Sequence, residues 1–476
     1  MGKYYLAVDI GASSGRHMLG TIEDGKLTLE EIYRFENGMT NKDGKLLWDT
    51  ERLFREIVSG MKRCKEMNKI PVSMSVDTWA VDYVLLDEKD QILGDTYGYR
   101  DGRTTGMDKK VYQLIPETEL YERTGIQKQI FNTIYQLMAV KTNSPELLEK
   151  ATTFLMLPDY FQFLLTGKKV SEYTNGTSTQ LVNPVTGQWD DELLEKLGYP
   201  KKIFLPLQMP GTEVGELTEQ IQAEVGFNCN VVLCASHDTA SAVMAMPSKE
   251  KDAIYISSGT WSLMGIEKEQ AQCDEESRKA NFTNEGGYDH RFRYLKNIMG
   301  LWMIQSVRHE LQDAYSFAQL CEMAEECSAF PSRVDVNDDC FLAPENMTHA
   351  IQEYCRRTGQ QVPQSIGEIA AVIYQSLAKC YGETIRKMES SQQKTYDSIH
   401  VIGGGANAEY LNKLTALATG KTVYAGPGEA TAIGNLMAQM VKAGELADLM
   451  AARACVYESF DIKTYKPESS MIQGEK

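Results

Sequence analysis

Several features that identify whole classes of protein are missing from this sequence. Its 476 residues contain no apolar run near the roughly 18 residues that a membrane-spanning helix needs. The ten cysteines form no Cys-x-x-Cys pair, which argues against both a zinc site and a disulfide framework. The six histidines show no ligand spacing such as His-Glu-x-x-His, so we expect no transition metal held by the protein alone.

Positive charge is also scarce. The chain has 49 Lys and Arg against 66 Asp and Glu, a formal net charge of −17. This balance argues against a nucleic-acid partner and against an anionic membrane surface, whereas a bound nucleotide needs only local positive potential. The apolar run at the N-terminus stops at Asp9, too early for a signal peptide, so we expect a cytoplasmic protein.

The composition that remains is that of an ordinary globular protein, with 42% hydrophobic and 24% charged residues. A chain of this length exceeds a single core and predicts two large domains. The second half begins as the first does, because a strand, a turn of small residues and a strand at 4–22 recur at 253–266. This pattern indicates an internal duplication. The polar tail after Lys466 is expected to fray.

A single carboxylate, Asp238, marks the middle of the chain. The predicted strand Asn230–Cys234 precedes it, and a helix-compatible segment at 239–246 follows, so Asp238 falls where a strand turns into a helix. A carboxylate there can cap the helix N-terminus. It can also act as a general base, since open α/β sheets bind ligands at the carboxyl ends of their strands. The residues alone leave both roles open.

Two turns in the first half carry residues suited to ligands. In Asp9-Ile-Gly-Ala-Ser-Ser-Gly-Arg16, after the predicted strand Tyr4–Ile10, small residues would let backbone N–H groups and hydroxyls approach phosphate oxygens. The alternative is a plain hairpin loop. In Asp77-Thr-Trp-Ala-Val-Asp82, a tryptophan ring and two carboxylates suit a sugar. The alternative is a structural tryptophan beside two solvated aspartates.

In the second half, Asn297–Gln305 is predicted to start an amphipathic helix, and Ser365–Met388 a longer helix with a Ser365/Glu368 capping box. The predicted strand Ile399–Ile402 runs into Gly403-Gly-Gly-Ala-Asn407 and a helix, a turn that lets a nucleotide lie against backbone. The turn matches the loose dinucleotide fingerprint, but no acidic ribose ligand follows the next strand, Thr422–Ala425, which argues against a dehydrogenase.

Taken together, these stretches resemble the FGGY family of carbohydrate kinases, and they occur in order over nearly the whole chain. The similar segments are Asp9–Arg16 (first phosphate loop), Asp77–Asp82 (sugar segment), Tyr99–Thr104 (the loop after it), Ser236–Ala242 (catalytic segment), Ser258–Ser262 (second phosphate loop) and Gly403–Ala406 (adenosine turn). One departure is that the family commonly has Gly where this chain has Ala80.

The resemblance implies an α/β fold of two actin-like (ribonuclease H-like) domains with βββαβαβα cores around a cleft. It implies a first domain, 1–246, that holds the sugar, a phosphate loop and the catalytic aspartate, and a second domain, 247–476, that binds ATP. The expected ligands are a ketose, ATP and Mg²⁺. The expected state is a monomer or homodimer, without nucleic-acid or membrane partners.

The implied reaction transfers the γ-phosphoryl group of ATP to the C1 hydroxyl of L-rhamnulose, with Asp238 as base. The expected sugar contacts are Asp77, Trp79, Ala80, His237, Asp238 and Thr239. The expected nucleotide contacts are Ala12, Ser13, Ser14, Gly15, Arg16, Thr260, Asn297, Gln305 and Gly404. Phosphates and water would hold most of the Mg²⁺ shell, with Asp9 acting through water. The rivals are a kinase for another ketose or polyol, such as L-fuculose or D-xylulose, a non-catalytic actin-like nucleotide-binding protein, and a dehydrogenase.

Overall fold

The computed structural model describes residues 2–248, 250 and 252–467. The tail that is predicted to fray, after Lys466, lies outside this range apart from Pro467. The chain forms two units, one of Met1–Ala245, Glu267–Tyr294 and Thr431–Ser459, the other of Met246–Ile266, Leu295–Ala430 and Phe460–Lys476. The predicted boundary after residue 246 lies next to the first break.

The prediction divided the chain at a single point and so did not assign Glu267–Tyr294 and Thr431–Ser459 to the first unit. The reason is long-range contacts: Arg453 pairs with Glu267 at 2.7 Å, and Asn435 donates a hydrogen bond to Asp77. Such contacts leave no local pattern in the sequence. The assignment of sugar binding to one domain and ATP binding to the other stays a prediction.

Strands occur along the whole described chain. In chain order they are β1 (Tyr4–Ile10), β2 (Ser14–Glu23), β3 (Lys26–Glu36), β4 (Thr40–Lys42), β5 (Lys45–Leu47), β6 (Pro71–Thr78), β7 (Tyr83–Leu86), β8 (Thr153–Met156), β9 (Ser171–Glu172), β10 (Val182–Asn183), β11 (Gln188–Trp189), β12 (Leu207–Gln208), β13 (Glu213–Glu216), β14 (Asn230–Val232), β15 (Ile254–Ser258), β16 (Trp261–Lys268), β17 (Thr283–Gly286), β18 (Phe292–Met299), β19 (Ser398–Ile402), β20 (Thr422–Ala425) and β21 (Lys463–Tyr465).

Helices alternate with these strands. They are α1 (Thr50–Glu66), α2 (Met107–Tyr112), α3 (Glu117–Thr124), α4 (Thr133–Asn143), α5 (Pro145–Lys150), α6 (Leu157–Thr166), α7 (Tyr173–Thr177), α8 (Asp191–Leu197), α9 (Glu219–Val225), α10 (Asp238–Met244), α11 (Glu275–Lys279), α12 (Trp302–Glu310), α13 (Phe317–Glu326), α14 (Met347–Arg357), α15 (Ile366–Gln392), α16 (Glu409–Thr419), α17 (Ala430–Lys442) and α18 (Leu449–Ser459). Within the described ranges, no helix is both long and apolar enough to cross a bilayer.

The first unit is built on a six-stranded sheet with the order β13-β14-β6-β1-β2-β3. Strand β1 pairs antiparallel with β2 and parallel with β6, and β14 runs parallel to β6. The register sets Asp9 opposite both Arg16 and Asp77. Because β1, β6 and β14 run parallel, their carboxyl ends meet at one edge of the sheet, where an α/β fold places its ligands.

Local sequence explains why these elements form. From Tyr5 to Ile10, β1 is buried on both faces, as expected for a central strand. Helix α1 buries Leu53, Ile57 and Met61, which share one face at helical spacing, and the Asp49 side chain accepts from Arg52 N at its start. The main core of this unit includes residues of β1, β6, α1 and α6. A second core joins β7 and β8 to α2, α4 and α8.

The second unit repeats the plan. Strand β15 pairs antiparallel with β16 and parallel with β19, β20 runs parallel to β19, and β21 closes the edge antiparallel to β20. The long helix α15 begins with the predicted capping box, in which Ser365 Oγ accepts from Glu368 N and the Glu368 carboxylate accepts from Ser365 N. It packs against α13 and α16.

Several predicted bounds differ from the structure. The predicted helix start at Asn297 is wrong, because Asn297 lies in β18 and α12 begins at Trp302. Gly300 stands between them at a backbone contact: a Cβ there would lie 2.5 Å from the carbonyl carbon of Trp261. Strand β14 ends at Val232 rather than Cys234, and β2 already begins at Ser14, which shortens the first turn.

Candidate active site

Charged side chains meet at the edge of the first sheet. Arg16 Nε and Nη2 each lie 2.9 Å from Asp9 Oδ2. Asp77, on the other side of Asp9, is fully buried and accepts a 2.6 Å hydrogen bond from Asn435 Nδ2. Burial, then the charges of Asp9 and Asp238, raise the pKa of Asp77 well above its usual range. Asp77 Oδ1 is buried with no hydrogen-bond partner in the described part of the chain.

Asp238 is the first residue of α10. Its Oδ1 accepts hydrogen bonds from the backbone N of Thr239 at 2.6 Å and from Thr239 Oγ1 at 3.1 Å. The side chain remains 31% exposed, and no hydrogen bond to Oδ2 is found among the described residues. Burial and the charge of Asp9 raise the pKa of Asp238 to about 6. An accessible oxygen and a pKa near neutrality suit a general base.

The turn that carries Asp238 is held by buried hydrogen bonds. Thr78 N donates to Ser236 O at 3.0 Å, which ties the turn to the end of β6. Glu172 Oε2 accepts from Ser236 Oγ at 2.6 Å and from Thr174 Oγ1 at 2.7 Å. Burial raises the pKa of Glu172, and these hydrogen bonds oppose the rise. Glu172 therefore links α7 to the turn, so that Asp238 projects from a rigid support.

Beside Asp238, His237 is buried with an arginine and a second carboxylate. Arg293 Nη2 lies 3.0 Å from His237 Nδ1, and Glu285 Oε2 lies 3.3 Å from the same nitrogen. On the other side of the ring, His237 Nε2 is 3.5 Å from Asp238 Oδ1. Burial and the charge of Arg293 hold the pKa of His237 well below its usual range. The predicted neighbours His237, Asp238 and Thr239 thus form one cluster.

The predicted sugar segment is organised around Asp82. Asp82 Oδ2 accepts from Trp48 Nε1 at 2.6 Å, Trp79 Nε1 at 2.9 Å and Tyr99 N at 3.1 Å, and Oδ1 accepts from Gln136 Nε2 at 3.0 Å. The two indole rings lie 4.0 Å apart. Both Asp77 and Asp82 are buried, so neither is the solvated aspartate of the structural alternative. Trp79 is 6% exposed, and its contact with sugar stays a prediction.

The backbone after Trp79 turns sharply. Asp82 N donates to Ala80 O at 3.0 Å across Val81, whose φ is 68°. This is a γ-turn with a left-handed central residue, a strained conformation for a β-branched side chain that costs about 1–3 kcal/mol. Thr133 Oγ1 donates a 2.7 Å hydrogen bond to the carbonyl oxygen of Val81. Ala80 is half-buried at the start of this turn, where the predicted sugar contact lies.

The first predicted phosphate loop is a short hairpin turn between β1 and β2. Gly11 N donates to Ser14 O at 2.9 Å, Asn37 N donates to Ser13 O at 2.9 Å, and Asn37 Nδ2 donates to Gly11 O at 2.8 Å. Ser13 is exposed, and Ala12 packs against the core. The loop is therefore fixed by Asn37, a residue that no motif indicated.

The second unit has a comparable turn built without charges. Leu301 N donates to Gly259 O at 2.9 Å, and Trp302 N donates to Thr260 O at 3.1 Å, so the β15–β16 turn rests on the start of α12. Thr260 Oγ1 lies 3.5 Å from Gln305 Oε1. These two predicted nucleotide residues are in contact.

Two further nucleotide residues were predicted in this unit. Asn297 Oδ1 is buried without a hydrogen-bond partner within the described ranges. Gly404 is exposed, and a Cβ on it would meet nothing within 4 Å. The backbone at Gly404 is therefore open to a ligand, whereas Asn297 offers an acceptor oxygen that no described residue occupies.

The acidic side chains at the sheet edge bear on how Mg²⁺ could be held. Across residues 2–248, 250 and 252–467, no group of three or more His, Cys, Asp or Glu side chains is placed to hold an ion. Asp9, the predicted water-mediated ligand, already binds Arg16 through Oδ2. This donor set fits an ion whose shell is mostly water and phosphate oxygens.

Comparison with known proteins agrees with this geometry. Residues 4–245 match the N-terminal domain, and residues 254–443 the C-terminal domain, of the FGGY family of carbohydrate kinases. The chain belongs to this family. It is therefore a sugar phosphotransferase, as predicted from the ordered motifs.

Relatives in the FGGY family cover nearly the whole chain. A rhamnulokinase of Halalkalibacterium halodurans is 52% identical over 97% of this chain and 98% of its own length, and one of Bacillus subtilis is 45% identical over 99% and 97%. The fold is similar to those of a xylulose kinase from Rhodospirillum rubrum (TM-score 0.78, 15% identity, 98% and 95% covered) and a Plasmodium falciparum glycerol kinase with ADP (0.76, 13%, 98% and 94%). The predicted actin-like α/β class is thus confirmed.

Four residues of the site belong to none of the motifs, namely Glu172, Glu285, Arg293 and Asn435. They lie from 48 to 358 positions away from the residues of the predicted site segments that they contact. No periodicity or spacing joins residues so far apart. A charged residue among the apolar Phe292, Tyr294 and Leu295 is the signal that could have drawn attention to Arg293.

Proposed function

We propose that this FGGY kinase is a rhamnulokinase, which uses ATP to phosphorylate the C1 hydroxyl of L-rhamnulose in rhamnose catabolism. The observation that carries the proposal is Asp238, a partly exposed carboxylate with a pKa raised to about 6 at the carboxyl edge of the first sheet. The sugar is inferred from relatives named rhamnulokinase at 40–52% identity.

In the proposed mechanism Asp238 accepts the proton of the sugar C1 hydroxyl as its oxygen attacks the γ-phosphorus of ATP. The O–H bond breaks and its proton goes to the carboxylate, while a bond forms between the oxygen on C1 and the γ-phosphorus. The bond from that phosphorus to the β,γ-bridging oxygen breaks, and ADP leaves with its electron pair. Phosphoryl transfer proceeds through a loose transition state, so catalysis consists chiefly of positioning and charge stabilisation around one base. His237 and Thr239 orient the sugar, together with Asp77, Trp79 and the backbone at Ala80.

The nucleotide contacts remain proposals for each unit separately. In the first unit, Ala12 to Arg16 would bind phosphate oxygens through backbone N–H groups, hydroxyls and one guanidinium. In the second unit, Thr260, Asn297, Gln305 and Gly404 would contact the nucleotide. Support comes from the unpartnered Asn297 Oδ1 and the open space at Gly404. Mg²⁺ would neutralise phosphate charge when bound, with Asp9 reaching it through water.

Substrate identity is tested by ADP release with Mg-ATP and a panel of sugars: L-rhamnulose, L-fuculose, D-xylulose, L-ribulose, glycerol and no sugar. The highest kcat/KM with L-rhamnulose supports the proposal. Preference for another sugar rejects L-rhamnulose but keeps Asp238 as base, and turnover independent of sugar would reject the kinase mechanism.

One observation favours the second candidate, a kinase for a different ketose or polyol. The family commonly has glycine at the position of Ala80, next to the strained turn at Val81. An added methyl group there changes the space for the sugar. Ala80→Gly separates the two candidates. For a rhamnulokinase, the ranking of the sugars by kcat/KM should not change, whereas a changed ranking would favour the alternative.

The nucleotide side has a matched pair of glycines for its test. Gly404→Ala adds a methyl group to open space and should raise KM for ATP without changing thermal stability. Gly405→Ala would put a Cβ 1.9 Å from Ser258 Oγ, so it should destabilise the protein by about 1–3 kcal/mol. An unchanged KM for ATP in Gly404→Ala would remove Gly404 from the nucleotide contacts.

The proposed enzyme works in the cytoplasm as a monomer or homodimer. Sedimentation equilibrium of the full chain, whose mass is 53.4 kDa, measures the oligomeric state directly. A larger assembly would contradict this part of the proposal.

A further inference from the structure

The imidazole ring of His237 lies between two groups of opposite hydrogen-bonding character. On its Nδ1 side, Arg293 Nη2 is 3.0 Å away. On its Nε2 side, Asp238 Oδ1 is 3.5 Å away. His237 is 6% exposed and Arg293 fully buried, so the contact between these two side chains is shielded from water.

Donor and acceptor counting determines which ring nitrogen carries the proton. An arginine guanidinium has five N–H donors, no acceptor, and stays charged in proteins. Its contact with His237 Nδ1 therefore requires a lone pair on that nitrogen. A neutral imidazole with a lone pair on Nδ1 carries its proton on Nε2. That N–H is on the side of Asp238, where a carboxylate oxygen can accept.

The tautomer of His237 with its proton on Nδ1 matches the donors and acceptors around the ring less well. A proton on Nδ1 would face the N–H of Arg293, and the bare Nε2 lone pair would face the carboxylate of Asp238. Its one gain would be a hydrogen bond to Glu285 Oε2, 3.3 Å from Nδ1. Glu285 Oε2 also lies 3.1 Å from Arg293 Nη2 and offsets the charge of the buried guanidinium.

A doubly protonated ring is also disfavoured. The charged groups around His237 are Arg293, Glu285 and Asp238, and the imidazolium would again direct Nδ1–H at the guanidinium. Burial, followed by the charge of Arg293, lowers the pKa of His237. Arg293 itself is anchored through Nε, which donates to Gly286 O at 3.0 Å, so it is held in this orientation.

We propose that Arg293 is a positioning residue that holds His237 as the neutral Nε2–H tautomer, so that Asp238 rather than His237 accepts the proton of the sugar hydroxyl. His237 then serves as a donor that orients the carboxylate or a sugar oxygen. The catalytic part of this inference rests on the proposed function, whereas the tautomer can be measured without any substrate.

The tautomer is read from long-range ¹H–¹⁵N correlation spectra of the full chain labelled with ¹⁵N-histidine. The sequence has six histidines, and His237→Asn identifies the signal of His237 by its loss. The expected spectrum has a protonated Nε2 and an unprotonated Nδ1. A protonated Nδ1 in the wild-type protein would overturn the proposal, even if no Arg293 variant folds.

Variants at Arg293 test its role. Arg293→Met removes the donor while keeping much of the side-chain length, and Arg293→Lys restores a charged donor. We expect Arg293→Met to change the His237 tautomer pattern and to lower kcat by about 10–100-fold. Arg293→Lys should recover part of both, and KM for ATP should not change. A wild-type tautomer pattern in Arg293→Met would reject the positioning role.

The same experiments separate this inference from the proposed function. If the predicted tautomer is present but no sugar stimulates ADP release, the kinase mechanism fails and the tautomer assignment remains. If L-rhamnulose is the preferred substrate but the tautomer is wrong, the proposed function remains and Arg293 loses its role.

Discussion

Two aspartates of the first unit have the same raised pKa but very different surroundings. Burial raises the pKa of both Asp82 and Asp238 to about 6. Asp82 is 1% exposed, and four donors occupy both of its oxygens. The Asp238 side chain is 31% exposed and receives hydrogen bonds from Thr239 at Oδ1. A raised pKa therefore does not identify a base unless an oxygen remains accessible to the substrate.

Asp238→Asn should have the largest effect on activity. The amide cannot accept the hydroxyl proton, so kcat should fall by about 10²–10⁴-fold, the usual contribution of general base catalysis. Its carbonyl oxygen can still accept from Thr239, so thermal stability should change little. The measurements are kcat with the preferred sugar and the thermal unfolding midpoint. Retention of most of kcat by a variant that still binds sugar would rule out Asp238 as the base.

The pH dependence of kcat/KM should also depend on Asp238 and not on Asp82. The base must be ionised to act, and its pKa is raised from 3.8 to about 6. Activity should therefore be full above this value and fall about tenfold per pH unit below it. Asp82→Asn should leave this acidic limb in place. If kcat/KM stayed constant down to pH values near 3.8, this would contradict the raised pKa of Asp238.

Asp82→Asn should affect stability more than catalysis. The amide can keep one acceptor oxygen for the two indoles and Tyr99 N, but its NH₂ group would then face Gln136 Nε2, which is also a donor. We expect a loss of about 1–3 kcal/mol in the free energy of unfolding, measured in urea. The exposed Asp191→Asn is the matched control. A loss of kcat as large as that of Asp238→Asn would erase the distinction between the two aspartates.

Thr239→Val should have the smallest effect. It removes the 3.1 Å hydrogen bond from Thr239 Oγ1 to Asp238 Oδ1 and keeps the one from the backbone N. Because that bond favours the ionised carboxylate, the pKa of Asp238 should rise further. The acidic limb of kcat/KM should move to higher pH by about 0.4–1 unit. Thr239→Ser retains the hydroxyl, so its acidic limb should stay at the wild-type pH. Equal shifts of the limb in both variants would mean that the hydroxyl does not affect the pKa of Asp238.

Much of the fold followed from local patterns in the sequence. Strand β1 and helix α15 with its Ser365/Glu368 capping box were predicted near their observed bounds. The helix start at Asp238 was predicted to within one residue. These features depend on neighbours a few positions apart, so periodicity and capping residues are enough to reveal them.

The errors occurred where a distant contact overrides a local pattern. The segment from Asn297 has apolar residues at helical spacing, yet it continues β18 because it is part of a sheet. The sequence also left open whether the segment of Asp82 serves a sugar or the structure, and in the folded chain the indoles of Trp48 and Trp79 and the amide of Gln136 occupy this carboxylate. Two of these donors lie 34 and 54 positions away, and nothing near Asp82 in the sequence indicates them.

The order of the six motifs and the residue types within them were sufficient to identify the family and to name Asp238 as the candidate base, because each motif is short and its chemistry is local. Which acidic side chains are saturated with donors, which keep an accessible oxygen, and which nitrogen of His237 bears the proton depended on the folded chain. The physical reason is that hydrogen bonding and burial are properties of space. The groups that determine them, such as Arg293 at His237 and Asn435 at Asp77, come together only after folding.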